Sequence, residues 1–121
     1  MQKKNINPSR SVPIALLNRA SFILGPKGKD YGYDNFVNSA KVANVLCGVD
    51  FITPDIVAAC LIGVKAGRYG ILAPKSRVPN NESIVDTVID LVNYVVLMER
   101  ERQRRVYDEK DNTSRKTTRT R

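Results

Sequence analysis

The stretch ESIVDTVIDLVNYVVLMERERQRRVY, residues 82–107, decides the fold of this chain. Its middle is rich in valine and isoleucine, which favour β-strands, so a strand is the competing interpretation. The stretch contains neither glycine nor proline, however, and it is far longer than a usual strand of about five or six residues. We therefore predict a long helix that begins near Asn81 and continues through Tyr107, with the mixed charges of Glu99 to Arg105 forming a solvated end.

Two shorter helices are predicted at the start of the chain. Ser11-Val12-Pro13 begins the first, because proline is tolerated in the first turn of a helix, and Gly25-Pro26 ends it. Asp34 is placed to cap the second helix, and Gly48 ends it. The broad apolar side of this second helix contains Phe36, Val37, Ala40, Val42, Ala43 and Leu46.

The third predicted helix follows Thr53-Pro54-Asp55, in which a capping residue, a proline and an acid that favours the helix dipole come in order. It is apolar almost all round through Arg68, so we expect it to be the most buried helix. Residues 70–80 contain two prolines and are predicted to connect it to the long helix. The fold class is therefore all-α, with about four helices. Because their core is thin, we expect oligomerisation to complete the bundle.

The net charge of +8 is concentrated at the ends of the chain. Residues 1–10 contain three basic residues and no acid, and residues 112–121 contain four basic residues and no acid. We predict a basic disordered arm over 1–10, one all-α domain over 11–107 and a basic disordered tail over 108–121. Such ends would contact nucleic acid weakly, through its phosphates.

The amino-acid composition limits the catalytic and metal-binding chemistry of the chain and its expected location in the cell. The chain has no histidine, which excludes imidazole catalysis and histidine-bound metals. Cys47 and Cys60 lie in apolar stretches without C-x-x-C spacing, and we interpret them as reduced core thiols of a cytoplasmic protein. The N-terminus has no apolar region typical of a signal peptide, and Asp86 and Asp90 interrupt the apolar run of 84–98, so we expect no membrane span there.

One face of the predicted long helix carries a polar stripe at positions i, i+4, i+8 and i+11, namely Glu82, Asp86, Asp90 and Asn93. Burying carboxylates among valines is costly unless a cation pairs with them, and Lys65 and Arg68 on the third helix are candidate partners. The stripe is then either a structural ion-pair network or a pocket. In the pocket interpretation, Asp86 and Asp90 bind Mg²⁺ while Lys65 and Arg68 bind phosphate.

The sequence GPKGKDYGY, residues 25–33, is glycine-rich but is not a nucleotide-binding P-loop. Its glycines Gly25 and Gly28 are too close together, and Asp30 stands where a serine or threonine would bind magnesium. We predict a loop that faces a nucleotide, in which Lys27 and Lys29 contact phosphate and Tyr31 or Tyr33 stacks on the base. The alternative is a flexible connection whose lysines are simply solvated.

Four short motifs in a fixed order resemble a phage-borne family of small helical proteins of unknown function. They are Lys29-Asp30-Tyr31-Gly32 followed by Asn35-Phe36, the Pro54-Asp55 helix start, Lys65-Ala-Gly-Arg68, and the run from Asp86 to Tyr94. That family has a Tyr-Gly pair after a basic residue, a Lys-x-x-Arg, and a final Asp-Ser-x-x-Asp-x-x-Gly-Tyr. The resemblance covers about residues 15–98.

That family is in turn similar to the MazG-type all-α nucleoside triphosphate pyrophosphohydrolases. The similarity implies a MazG-like helical bundle, an oligomer, and Mg²⁺ held by Glu-x-x-Glu and Glu-x-x-Asp pairs. This chain departs from the pattern because no acid follows Asp55 before Arg68, and because Asn93 stands where the family more often has glycine. A complete acidic metal site is therefore not visible in the sequence, and no catalytic residue is assigned.

Three hypotheses of function follow. The first is a phage-type nucleotide-binding enzyme that hydrolyses a nucleoside triphosphate with Mg²⁺. The second is a non-catalytic binder that sequesters nucleotides or cyclic nucleotide signals, as an anti-defence sponge would. The third is a module that binds nucleic acid or a host protein through its basic ends.

Overall fold

The computed structural model describes the backbone of residues 8–30, 35–77 and 81–119, and the side chains of 11–25, 35–77 and 81–117. Within these ranges the regular secondary structure is helical throughout. It consists of α1 (Pro8–Asp30), α2 (Asn35–Cys47), α3 (Pro54–Leu72), a short 3₁₀ turn (Ala73–Lys75) and α4 (Glu82–Arg119). The predicted all-α fold of about four helices is confirmed.

Helix α1 is longer than predicted at both ends. It begins at Pro8, which suits the first helical position because its missing N–H would have no partner there. It continues through Gly25 and Pro26 to Asp30, so the predicted loop is wrong for residues 25–30. Glycine ends a helix by adopting a left-handed conformation, and among the described residues only Gly48 has a positive φ. Without that turn at Gly25, the helix continues.

Helix α2 ends at Cys47, directly before Gly48, and glycine terminates it as predicted. Gly48 has a φ of 64°, its N–H donates to the Val45 carbonyl at 3.4 Å, and the Val49 N–H donates to the Asn44 carbonyl at 3.0 Å. These two bonds form a Schellman motif, which satisfies carbonyls of the last turn. The predicted cap, Asp34, lies outside the described residues.

The segment after α2 is fixed to that helix by one side chain. The Asn44 amide donates to the Ile52 carbonyl at 3.0 Å, and its oxygen accepts the Ile52 N–H at 3.0 Å. Both polar groups of one asparagine are thus used to hold the chain between α2 and α3.

Helix α3 begins at Pro54 as predicted, but the expectation that it would be the most buried helix is wrong. Ala58 is its one buried residue, while Ile56, Val64, Tyr69 and Ile71 are exposed. An all-round apolar helix is buried only where other elements surround it, and the other described helices leave most of α3 uncovered. Among the described residues, Pro54–Lys75 is also the one helix long and apolar enough to cross a membrane by length and composition.

Helix α4 begins at Glu82, close to the predicted Asn81, and extends to Arg119. It therefore runs through 108–119, which we predicted as part of a disordered tail. The helix remains continuous because this segment contains neither glycine nor proline, and Arg115 pairs with Asp111 at 3.2 Å one turn earlier.

The chain divides into two compact units where we predicted one domain. The first comprises Met1–Tyr33 and Gly63–Asn93, and the second comprises Asp34–Ile62 and Tyr94–Arg121. In the first unit, Ala20 and Ile89 are the buried apolar residues among those described. In the second, the corresponding residues are Phe36, Ala40 and Ala58, and the Phe36 ring meets Tyr94 edge-on with 6.4 Å between centroids.

The prediction that the two cysteines are core thiols is wrong. Cys47 and Cys60 are both free, but both are exposed, so they are not core thiols.

The apolar side of α2 is buried only in part, since Phe36 and Ala40 are buried whereas Val42 and Leu46 are exposed. The apolar stripe of α2 is therefore wider than the surface that the described residues bury.

Candidate ligand-binding site

The start of α4 is fixed locally before it contributes to any site. The Asn81 side-chain oxygen accepts the Ile84 N–H at 3.3 Å, which makes Asn81 the N-cap of the helix. One turn later the buried Thr87 hydroxyl donates to the Ser83 carbonyl at 2.7 Å. These bonds satisfy polar groups near the helix start, upstream of Asp90.

The central contact of the site joins α3 to α4 within the first unit. The Lys65 Nζ lies 2.9 Å from an Asp90 carboxylate oxygen, and the two side chains are 22% and 29% exposed. The predicted pairing of Lys65 with a stripe carboxylate is therefore correct for Asp90. A half-buried pair of this kind is screened less by water and salt than a surface pair.

Asp86 has a different partner from the one predicted. Its carboxylate lies 3.7 Å from Arg19 on α1, and both side chains are more than half exposed. The expectation that Lys65 or Arg68 would neutralise a buried Asp86 is therefore wrong. Asp86 lies four residues before Asp90, so its side chain leaves α4 in a slightly different direction, and its carboxylate is accessible to water and to Arg19.

The two remaining members of the polar stripe differ in how exposed they are. Glu82 is exposed, whereas Asn93 is buried. Within the described residues no hydrogen bond is made by the Asn93 amide, and Arg68 has neither a hydrogen bond nor an ion pair. Arg68 is exposed and lies one helical turn from Lys65. The neighbourhood of the Lys65–Asp90 pair therefore holds a polar amide and a cation that the described parts of the chain do not use.

The predicted Mg²⁺ site at Asp86 and Asp90 stays a prediction. Each carboxylate is already neutralised by a cation of the chain, and the described residues contain no group of three or more metal-binding side chains. Magnesium in proteins needs octahedral oxygen ligands and strongly retains its own water. We therefore derive no step that uses a metal.

The predicted site residues on the glycine-rich segment can be placed only in part. The backbone of Lys27 and Lys29 belongs to α1, but their side chains lie outside the described residues, as does all of Tyr31. Their predicted contacts with phosphate and base stay predictions.

The sequence analysis missed Arg19, although a signal was available. Arg19 is the one charged residue between Ser11 and Gly25, a stretch that is otherwise mostly apolar. A lone cation in such a stretch is a candidate partner for a carboxylate on a neighbouring helix.

A second charged cluster, in the second unit, was also missed. Arg105 on α4 donates two hydrogen bonds to Asp55 at the start of α3, at 3.3 and 3.1 Å. One turn away, Arg100 and Arg104 both contact the buried carboxylate of Glu101, at 2.7 and 3.2 Å. The sequence presented these residues as a solvated helix end, because mixed charge alone does not show which side of a helix is covered.

The Asp55–Arg105 pair predicts a specific acid sensitivity. Burial would raise the pKa of Asp55, but its hydrogen bonds, those from Arg105 first, and the charge of Arg105 together outweigh burial and hold the pKa below the ordinary value of 3.8. A carboxyl whose pKa is lowered in the folded state stabilises the fold above its unfolded pKa, and this contribution is lost as the pH falls through the folded pKa.

We therefore expect the melting-temperature difference between the wild type and Asp55→Asn to be constant from pH 7 to 5. It should shrink progressively below about pH 4, as the wild-type carboxyl becomes protonated. Thermal denaturation followed by circular dichroism at each pH measures this difference. A difference that grows as the pH falls would contradict the assigned ion pair.

Comparisons of the chain with protein-family models, with curated proteins and with solved structures gave no match. The fold and site together define an all-α chain with a half-buried ion-pair site between two of its helices.

Proposed function

We propose that this chain is a nucleotide-binding protein that holds its ligand without hydrolysing it. The observation that carries the proposal is the Lys65–Asp90 contact of 2.9 Å, with the unused Asn93 amide on the same helix and the unused Arg68 one turn along α3. These groups combine a cation for phosphate with neutral and anionic groups for a sugar or base.

Each group has a distinct role in this proposal. Arg68 contacts phosphate, because its guanidinium is exposed, permanently charged and able to donate two parallel hydrogen bonds. Asp90 accepts a hydrogen bond from a ribose hydroxyl or a base amino group. Asn93 can both donate and accept, which suits the edge of a base.

Lys65 acts mainly through Asp90. Its ammonium group neutralises the carboxylate, which would otherwise repel a phosphate nearby. Lys65 was predicted to bind phosphate directly, and we now propose that it positions Asp90 while Arg68 makes the phosphate contact.

The same contacts favour binding over hydrolysis. For magnesium to bind, the carboxylates of Asp90 and Asp86 would have to release Lys65 and Arg19. A binder that sequesters nucleotides or cyclic nucleotide signals does not require that release. Its action as a homo-oligomer is supported by the many exposed large apolar residues, since contiguous apolar surface usually marks an interface.

Calorimetric titration of the full chain with ATP, GTP, CTP and UTP, each with and without Mg²⁺, tests this function. We expect at least one nucleotide to bind, and no inorganic phosphate or pyrophosphate to be released. Arg68→Gln should weaken that binding by about tenfold or more, equivalent to about 1.4 kcal/mol or more, because a phosphate contact is lost.

Arg77→Gln is the matched control, since Arg77 is an exposed arginine in the same unit that makes no described ion pair. It should leave the affinity unchanged. Turnover that requires Mg²⁺ and disappears in Asp90→Asn would overturn the proposal in favour of a hydrolase. The absence of binding for every nucleotide, or equal losses in both arginine variants, would overturn the site.

A further inference from the structure

The C-terminal part of α4 is a helix that is exposed to solvent on every side. Arg105 contacts Asp55 at 3.1 Å and thereby joins α4 to the start of α3. Beyond this contact, every described side chain from Tyr107 to Thr117 is exposed. These residues make about three helical turns, so they point in all directions around the helix axis. The backbone stays helical to Arg119, about 21 Å beyond Arg105 at the rise of an α-helix.

Local contacts support this end of the helix. Arg105 pairs with Glu109 at 3.6 Å, and Asp111 pairs with Arg115 at 3.2 Å, both across one turn. Basic residues near the C-terminus of a helix also interact favourably with its dipole. The helical backbone therefore gives the charged residues of this segment fixed positions relative to one another.

Helical spacing gathers the last basic residues on one side of α4. Four positions follow the i, i+3, i+4, i+7 spacing of a single helix face, and we call them the basic face: Asn112, Arg115, Lys116 and Arg119. The opposite side has the same spacing and a single charged residue: Lys110, Thr113, Ser114 and Thr117. No acidic residue follows Asp111 in the sequence. The end of α4 is therefore basic on one side and mainly neutral on the other.

The basic face has the chemistry that recognises phosphate groups. The Arg115 side chain is 76% exposed, and its partner Asp111 is 51% exposed. An ion pair this exposed is weak in water, so the guanidinium can exchange the carboxylate for a phosphate, which it binds through two parallel hydrogen bonds. Lys116 adds an exposed ammonium charge, and the exposed Asn112 amide can donate as well as accept.

The composition of this end favours a DNA duplex over other polyanions. Residues 112–121 contain no apolar residue that would insert among lipid tails, and no aromatic residue that would stack on an unpaired base. The major groove of B-form DNA admits an α-helix, whereas the major groove of an RNA duplex is deep and narrow. A helix end that is exposed on every side is able to enter such a groove.

We propose that the basic face of α4 binds double-stranded DNA, with the exposed helix end along the major groove and its cations against the phosphates. Such binding is driven by the release of counterions, and phosphate contacts alone do not read the base sequence. The inference does not depend on nucleotide binding, because the Lys65–Asp90 pair lies in the first unit and the basic face lies in the second.

Fluorescence anisotropy of a short labelled DNA duplex, titrated with the full chain at several salt concentrations, tests this proposal. The wild type should bind, and the logarithm of its affinity should fall linearly with the logarithm of the salt concentration. Arg115→Gln and Lys116→Gln should each weaken binding several-fold. Each should also reduce the steepness of the salt dependence by about one, because one phosphate contact is lost.

Matched controls separate the basic face from net charge. Lys110→Gln removes the same charge from the opposite side of the helix and should leave the salt dependence unchanged. Ser114→Pro keeps every charge but interrupts the helix just before Arg115, so it should weaken binding, whereas Ser114→Ala should not. Equal losses for Lys110→Gln and Arg115→Gln would overturn the proposal, and so would full affinity in Ser114→Pro.

Two further probes test the identity of the partner. An RNA duplex and vesicles of phosphatidylserine and phosphatidylcholine should both bind more weakly than the DNA duplex. An RNA duplex that binds as tightly as DNA would overturn the major-groove assignment. A wild type that binds the vesicles but not the DNA duplex would overturn the proposal in favour of a membrane surface, and a wild type that binds none of the three would overturn it outright.

Discussion

Replacing Ile89 by alanine is expected to lower the free energy of unfolding of this protein by about 2–5 kcal/mol, the range found when large core aliphatic side chains are truncated. Ile89 is only 2% exposed and is one of the two largest fully buried side chains described. The other buried apolar residue described in its unit is Ala20, which has little side chain to lose. The loss would therefore remove a large share of the hydrophobic stabilisation of that unit.

Urea denaturation followed by circular dichroism measures this change, and Ile71→Ala is the matched control. Ile71 is the same residue type in a helix of the same unit, but it is 63% exposed. Its replacement should have little effect, because the side chain is already in water and alanine favours the helix. Equal destabilisation by the two substitutions would show that Ile71 is also covered in solution, which would contradict the exposed surface of α3.

Replacing Glu101 by glutamine is expected to lower the free energy of unfolding by about 1–3 kcal/mol. The Glu101 side chain is 2% exposed, and its carboxylate contacts the guanidinium groups of both Arg100 and Arg104. Removing one member of a fully buried ion pair costs about 3–5 kcal/mol, because the other charge loses its compensation. The expected value is smaller here, since both arginines are partly solvated.

The same substitution at Glu99 is the control, because it makes the same charge change on the same helix two positions earlier. Glu99 is exposed and bonded to Arg102 and Gln103, and these bonds lower its pKa to about 2. Despite that shift, a surface pair contributes little, so we expect no measurable change in melting temperature for Glu99→Gln. A larger loss at Glu99 than at Glu101 would contradict the placement of this face of α4.

The different exposure of Glu99 and Glu101 could not be predicted from the sequence. Glu99 and Glu101 lie in one run of alternating charge, and nothing in that run distinguishes the exposed carboxylate from the buried one. The difference arises because adjacent faces of α4 have different surroundings, and helical spacing alone cannot show which neighbour covers which face. The same limit applies to Asp86 and Asp90, which share a stripe but pair with different helices.

The sequence by itself determined the elements whose causes are local. The absence of glycine and proline predicted α4, Pro54 predicted the start of α3, and Gly48 predicted the end of α2, because these residues act on their own backbone. It also named Lys65 as one of two candidate partners for the carboxylates of the stripe, without deciding which carboxylate it would contact. Local rules failed at Gly25-Pro26, where the helix continues through both residues.

Only the tertiary structure decided how much of each apolar helix is covered. Composition predicted that α3 would be buried, yet burial depends on how many other helices lie against it, and the described helices cover little of it. Tertiary packing likewise assigned Arg19 to Asp86 and Arg105 to Asp55, partners far apart in the chain. Hydrophobicity and charge show which side chains need to be covered or paired. The three-dimensional arrangement of the helices determines which residues cover them or pair with them.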